Sequence, residues 1–245
     1  MKILIIDIET RPSLAYVWSL WDQHVGLDQL VQSGESICWA AKWLGESKVE
    51  FRSVFHDGKD VMLKRIWELL NEADMVVHFN GRRFDVPHLN TLFLEAGMTP
   101  PAPFQQVDLM ETVKHKFYLI SNKLQYCLTR FNIGEKVKHE GFPLWKRCMA
   151  NDAKAWAKMR VYNIGDVRET EKLYQKILPW IERHPSYGAL TGKDVCPNCG
   201  SEELAHRGQA FTKTGKYQRF VCKECGKWSR AVKRIEHTGI VEVGR

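Results

Sequence analysis

The chain has 245 residues, 44% of them hydrophobic, and 36 Lys and Arg against 29 Asp and Glu give a formal net charge of +7. That length holds one good-sized domain and a small appendage, and the composition excludes large-scale disorder. No run of about 18 apolar residues exists for a membrane span, the stretch before Asp7 is too short for a signal-peptide core, and an odd count of seven cysteines argues against a disulfide framework, so a soluble cytoplasmic protein is expected.

The basic excess is uneven: residues 191–245 hold 11 Lys and Arg against 6 acids, whereas residues 1–190 hold 25 against 23. A basic tail suits an anionic partner such as nucleic acid.

In chain order, Lys2 to Thr10 is an apolar strand ending in Asp7 and Glu9, which share a face because side chains alternate along a strand. Two carboxylates on one face are costly to crowd unless a cation neutralises them. Residues 11–36 read as a long connection with room for a short helix. Residues 37–44 and 49–55, joined by the turn Gly45-Glu46-Ser47-Lys48, predict a hairpin, giving an antiparallel meander with the first strand.

Helical spacing takes over from Asp60 to Ala73, followed by a short strand at 75–79, the loop Asn80-Gly81-Arg82-Arg83 and a helix from Phe84 to Glu95. A last strand is expected at 105–109, mostly helix at 109–131 with a break near Ser121, loop at 132–151, and a long helix at 152–182. Three antiparallel strands followed by helix, strand, helix and strand is the order of a ribonuclease H-like α/β fold, a mixed five-stranded sheet with helices on both faces.

Two further acids stand out. Asp85 opens a helix directly after a strand, where an acid also serves simply as a first-turn residue. Tyr162 and Asp166, at i and i+4, project together from the late helix, and Gly165 between them costs roughly 1 kcal/mol relative to Ala, which implies close approach of another backbone or of a ligand.

Asp-x-Glu-Thr at a strand end, Asn-x-x-x-Phe-Asp about 75 residues on and Tyr-x-x-x-Asp on a late helix together resemble the three motifs of the DEDD exonuclease superfamily, in its tyrosine (DEDDy) branch. That branch includes polymerase proofreading domains and stand-alone 3′ to 5′ exonucleases. The resemblance implies that Asp7, Glu9, Asp85 and Asp166 bind two Mg²⁺ or Mn²⁺ ions and that Tyr162 helps position the attacking water. Such ions suit hard oxygen ligands and phosphodiester hydrolysis. Candidate substrate contacts near these motifs are Thr10, Asn80, Arg82, Arg83 and Phe84, with Trp18, Trp21 and Trp145 as further stacking candidates. His78 is expected to be structural, and Asp108 is a possible support for the metal shell.

In the tail, Cys196-x-x-Cys199-Gly200 and Cys222-x-x-Cys225-Gly226 lie 22 residues apart, the spacing of a four-thiolate zinc site. The Gly after each second cysteine allows a tight turn. The segment resembles a zinc ribbon whose single Zn²⁺ is structural. Arg219, Lys227 and Trp228 are candidate nucleic-acid contacts within it. Docking of a replication or repair protein is the competing use of the ribbon.

The expected organisation is a ribonuclease H-like exonuclease domain at 1–183, a linker at 184–194 and a zinc ribbon at 195–245. The expected activity is metal-dependent 3′ to 5′ hydrolysis of single-stranded or frayed nucleic-acid ends, DNA favoured over RNA. The alternatives are a non-catalytic binding module on the same fold and a ribonuclease H-like endonuclease.

Overall fold

A computed structural model describes residues 1–22, 24–135, 137–237 and 239. Two compact units divide the chain, Lys2–Tyr174 and Gln175–Arg245. In the first, β1 (Ile3–Thr10) leads through the short pair β2 (Leu14–Ala15) and β3 (Leu30–Gln32) to β4 (Ser36–Trp43) and β5 (Glu50–Ser53). Then come α1 (Lys59–Glu72), β6 (Met75–His78), α2 (Asp85–Glu95), β7 (Gln105–Asp108), α3 (Leu109–Lys116), α4 (Leu124–Arg130), α5 (Phe142–Met149) and α6 (Ala153–Ile177). The sheet order is β5-β4-β1-β6-β7. β5, β4 and β1 are mutually antiparallel, whereas β6 runs parallel to β1 and β7 parallel to β6. This is the mixed five-stranded sheet that the element order predicts.

β1 is central because it is apolar on both faces: Ile3, Leu4, Ile5, Ile6 and Ile8 are all buried. Alternation decides what each face meets. Leu4, Ile6 and Ile8 join Met62, Leu63 and Ile66 of α1 and Leu89 and Phe93 of α2 in one core cluster. On the other side Cys38, paired with Glu9 across the β1–β4 ladder, packs with Leu144 and Cys148 of α5 and with Trp156, Met159 and Tyr162 of α6. Asp7 and Glu9, the odd-numbered residues of β1, therefore point to the α5 and α6 side. The three singly placed cysteines, Cys38, Cys127 and Cys148, are buried as small core residues.

Two expectations are corrected. Among the described residues of the long connection after β1, the β2–β3 pair and a 3₁₀ turn at Leu27–Gln29 stand in place of a short α-helix. Residues 132–151, expected to be loop, contain α5. Its start looks like a breaker in sequence, since Gly141 sits at φ 73° and Pro143 follows, but a proline in the first turn removes only an N–H that has no helical partner anyway. Leu144 and Cys148, at i and i+4, then bury one face.

α6 buries positions 155, 156, 159, 162, 163, 166, 167, 170, 173 and 174, one continuous face of a 3.6-residue helix. Gly165 sits beside that face. A Cβ there would lie 2.8 Å from Val137 Cγ2, so the glycine is explained by a neighbouring side chain pressed against the helix.

In the second unit a 3₁₀ turn at Leu178–Trp180 precedes α7 (Tyr187–Thr191), whose N-cap Ser186 accepts from Ala189 N. β8 (Leu204–Thr212), β9 (Gly215–Cys222) and β10 (Trp228–His237) form a three-stranded antiparallel sheet in the order β10-β9-β8.

Candidate active site and metal centres

The ladder between β1 and β6 runs from Ile3 with Met75 to Ile5 with Val77. Beyond it a side chain substitutes for strand backbone: Asp85 Oδ1 accepts from Ile8 N at 3.1 Å. The second motif is thereby tied to the peptide between the two acids of the first. The loop that launches Asp85 is itself held by Asp108, which caps α3 through Met110 N at 3.0 Å and also accepts from Asn80 N at 2.9 Å and Arg82 N at 3.3 Å. His78, fully buried, accepts from Gly81 N at 3.1 Å and lies against Gln106, and burial lowers its pKa so that it stays neutral. His78 and Asp108 thus build the scaffold under the motif.

From the opposite side α6 is pinned to the sheet twice. Lys42 of β4 forms a nearly buried ion pair with Glu171, and Asn163 Nδ2 donates to Asp7 Oδ2 at 2.6 Å and to Asp7 O at 3.2 Å. These contacts bring Asp166 to the first motif: carboxylate oxygens of Asp7, Glu9 and Asp166 all lie within 4.8 Å of one another. Asp85 stands outside this triad, almost wholly buried, and desolvation pushes its carboxyl up to about 7 despite the lowering effect of Ile8 N–H.

Tyr162 is hydrogen-bonded to Asp166, and its phenol pKa is driven well above the usual tyrosine range, first by burial and then by the charges of Asp166, Glu9 and Asp7. It therefore remains a protonated donor. His139, at 4.5 Å between ring centroids, and Trp145, at 6.0 Å, pack against its ring. Trp145 is accordingly a wall of the tyrosine's pocket.

The remaining candidates cluster at the same ends of β1 and β6. Thr10 closes β1 opposite Ser36. Asn80 adopts φ 70°, Arg82 is exposed and donates to Gln106 O at 3.1 Å, Arg83 is exposed, and Phe84 packs edge-on against His88. In the connection that leaves β1, Trp18 and Trp21 are almost fully exposed, at 97% and 81%.

Two residues escaped the sequence reading. His139 carries no sequence signal. Asn163 does carry one: it occupies a position on the buried stripe of α6 between Met159 and Val167, where a polar side chain requires a partner.

In the second unit Cys196, Cys199, Cys222 and Cys225 present sulfurs within 4.8 Å of one another. The Sγ separations are 3.6 Å for Cys196 with Cys225 and for Cys199 with Cys222. Tetrahedral coordination at a Zn–S length of about 2.3 Å requires sulfurs about 3.8 Å apart, so the donor set fits that ion. Gly200 and Gly226, at φ 77° and 78°, close each knuckle by donating to Cys196 O and Cys222 O, as expected from their position. Asn198 Nδ2 donates to Leu178 O at 2.8 Å and Ile181 O at 3.0 Å, and Lys227 Nζ donates to Ile181 O at 2.6 Å, so both knuckles are tied to the same turn.

A family model described as the RNase_H superfamily matches residues 4–178. The chain belongs to the ribonuclease H superfamily. Among solved structures, this ribonuclease H-like chain is similar to the family B DNA polymerase from the hyperthermophilic archaeon Pyrobaculum calidifontis, with a TM-score of 0.54 and 17% identity over 73% of this chain and 24% of that one. It is also similar to Trypanosoma brucei RNase D, with a TM-score of 0.48 and 18% identity over 72% of this chain and 57% of that one. The chain thus spans about a quarter of the polymerase and a little over half of the RNase D. No curated protein matches it in sequence. Among the described residues of this superfamily member, no helix is long and apolar enough to cross a membrane.

If Asn163 fixes the direction of the Asp7 carboxylate, Asn163→Leu should weaken Mn²⁺ binding by about 10- to 100-fold, the usual effect of removing a group that orients a metal ligand. Calorimetric titration of the variant tests this, and an unchanged affinity would remove Asn163 from the site.

Proposed function

We propose that this protein is a metal-dependent 3′ to 5′ exonuclease of the DEDDy type, acting on single-stranded or frayed DNA ends in preference to RNA. Its organisation would be a catalytic domain at 1–183, a linker at 184–194 and a zinc ribbon at 195–245. The observation that carries this reading is the convergence of Asp7, Glu9 and Asp166 within 4.8 Å, with Tyr162 hydrogen-bonded to Asp166. Membership of the ribonuclease H superfamily supports it.

A three-carboxylate cluster with a fourth acid behind it offers hard oxygen donors of the type that Mg²⁺ and Mn²⁺ take. Asp7, Glu9 and Asp166 would hold two such ions, with Asp85 completing the set. Bound there, the ions would supply the charge that stabilises the attacking and leaving oxygens. Tyr162, protonated and with its one O–H given to Asp166, would orient the attacking water by accepting a hydrogen bond from it, and is too weak an acid to act as a base. Asn163 keeps Asp7 turned toward the cluster. Thr10, Asn80, Arg82, Arg83 and Phe84, at the ends of β1 and β6, are the proposed strand contacts. All four acids being retained disfavours a passive binding module, since carboxylates without a catalytic duty repel a phosphate backbone.

The experiment is to incubate 5′-labelled single- and double-stranded DNA and RNA oligomers with the protein and Mg²⁺ or Mn²⁺. A ladder of products shortened from the 3′ end is expected. Asp7→Ala and Asp166→Ala should each cost at least about 10³-fold, the rate equivalent of the several kcal/mol that metal-borne charge supplies. Tyr162→Phe should slow hydrolysis by about 10²-fold, the low end for removing one preorganised hydrogen-bonding group from an active site. A single internal cut would establish an endonuclease, and salt-sensitive binding without cutting would establish a passive module.

The four thiolates are proposed to hold one structural Zn²⁺, because four protein sulfurs leave no open position and the small unit that carries them buries little on its own. Elemental analysis should give one zinc per chain, lost in Cys222→Ser together with the ordered β8–β10 sheet. A metal-free protein that keeps this sheet would contradict the assignment.

A further inference from the structure

Residues 204–237, which span β8 to β10, contain nine Lys and Arg and two acids, a formal +7 equal to that of the entire chain. The other 211 residues therefore balance to zero. A Zn²⁺ on four thiolates subtracts two charges and leaves this sheet strongly cationic.

The strand register sorts part of that charge onto one face. Arg219 lies opposite Arg230, Val221 opposite Trp228 and Tyr217 opposite Arg234. Directly opposed residues share a face, as do residues two apart, so Trp228, Arg219, Arg230, Tyr217 and Arg234 form one band of alternating rings and guanidinium groups. The Arg219 guanidinium lies 4.9 Å from the Trp228 ring centroid and that of Arg230 lies 4.0 Å from Tyr217.

Two features of this band point to an anion. Arg219 and Arg230 are like charges placed directly across a strand pair, an arrangement that is destabilising until something negative lies over it. Arg219 is also fixed in advance, with Nε donating to Arg207 O at 2.8 Å and its plane against Trp228, so little side-chain freedom remains to be lost on binding. Trp228 itself is half exposed and leaves ring surface for a planar partner. Lys227, by contrast, is spent on Ile181 O and belongs to the scaffold.

We propose that the β9–β10 face carrying Trp228, Arg219 and Arg230, the last laid against the buried Tyr217 ring, binds single-stranded nucleic acid, its guanidinium groups pairing with phosphates and Trp228 stacking on an unpaired base. Guanidinium groups match phosphate bidentately and aromatic faces accept any base, whereas a duplex keeps its bases stacked on each other. A polyglutamate chain offers carboxylates but no planar rings for Trp228. The inference rests on the nucleic-acid reading of the chain and not on hydrolysis.

The test uses the full chain carrying Asp7→Ala, expected to be silent in hydrolysis, and follows fluorescence anisotropy of labelled single-stranded and duplex oligomers across a salt series. Tighter binding of the single strand is expected. Adding Arg219→Gln and Arg230→Gln should weaken it at least tenfold and flatten the plot of log K against log salt by about 1.4, two phosphate contacts at about 0.7 each. Adding Trp228→Ala alone, which leaves every charge in place, should weaken the single strand and spare the duplex. Unchanged affinity and slope in the double-Gln chain would overturn the proposal, as would polyglutamate competing as well as a single strand, which would mark a protein-docking face. Equal binding of duplex and single strand would also overturn it. Should the double-Gln chain lose its zinc, the Trp228→Ala chain decides alone. Cutting by the native chain with no ribbon effect on binding would sink this inference and leave the nuclease reading intact, and a ribbon effect without cutting would do the reverse.

Discussion

Three carboxylates brought within 4.8 Å of one another set the terms for the rest of this domain. At an effective dielectric constant of about 20 each pair repels by about 3–4 kcal/mol, so the cluster opposes folding unless the scaffold holds it or a cation enters it. The scaffold is visible in the geometry. Five buried aliphatic residues on β1, each contributing roughly 1.5–3 kcal/mol, fix the strand that carries Asp7 and Glu9. Asn163 and the Lys42–Glu171 pair fix the helix that carries Asp166. The two terms are of similar size, which is the situation in which a site stays formed yet retains a strong appetite for positive charge.

Asp85 plays a different part from the other acids. Its Oδ1 completes the hydrogen bonding of β1 where β6 has ended, and the loop that delivers it is clamped by Asp108. Burial pushes its carboxyl up to about 7, and the charge of Asp108 adds to that shift. The domain thus links its three motifs by backbone and amide hydrogen bonds that do not depend on an ion.

Much of this was legible in the sequence, and the misses share a physical cause. β1, β4, α1, β6 and α2 follow from periodicity because each buries apolar side chains at its regular spacing, whereas β5 and β7 are short and bury Ser53 and Asp108 and are found by their neighbours in the element order. α5 was hidden because Gly141 and Pro143 read as punctuation although both are compatible with a helix start. The pairing of β2 with β3 left no alternating pattern, since its few residues are exposed or half-buried. Gly165 did signal a close approach, but the neighbour is the Val137 side chain and not the backbone or ligand that its cost implies. Asn163 lay within a recognised motif, yet its importance depends on Asp7, 156 residues away, a contact that no local pattern encodes. In the second unit the cysteine spacing was sufficient to find the four-sulfur cluster, whereas the ring and guanidinium band required the β9–β10 register.

The central claim is that Asp7, Glu9 and Asp166 form one cation site on the sheet. Anomalous diffraction from crystals of the native chain soaked in Mn²⁺ tests it most directly. The account predicts manganese peaks bounded by these three carboxylates, with the sulfurs of the four cysteines holding zinc only. An empty cluster at saturating Mn²⁺, or manganese bound elsewhere with these carboxylates unoccupied, would contradict it.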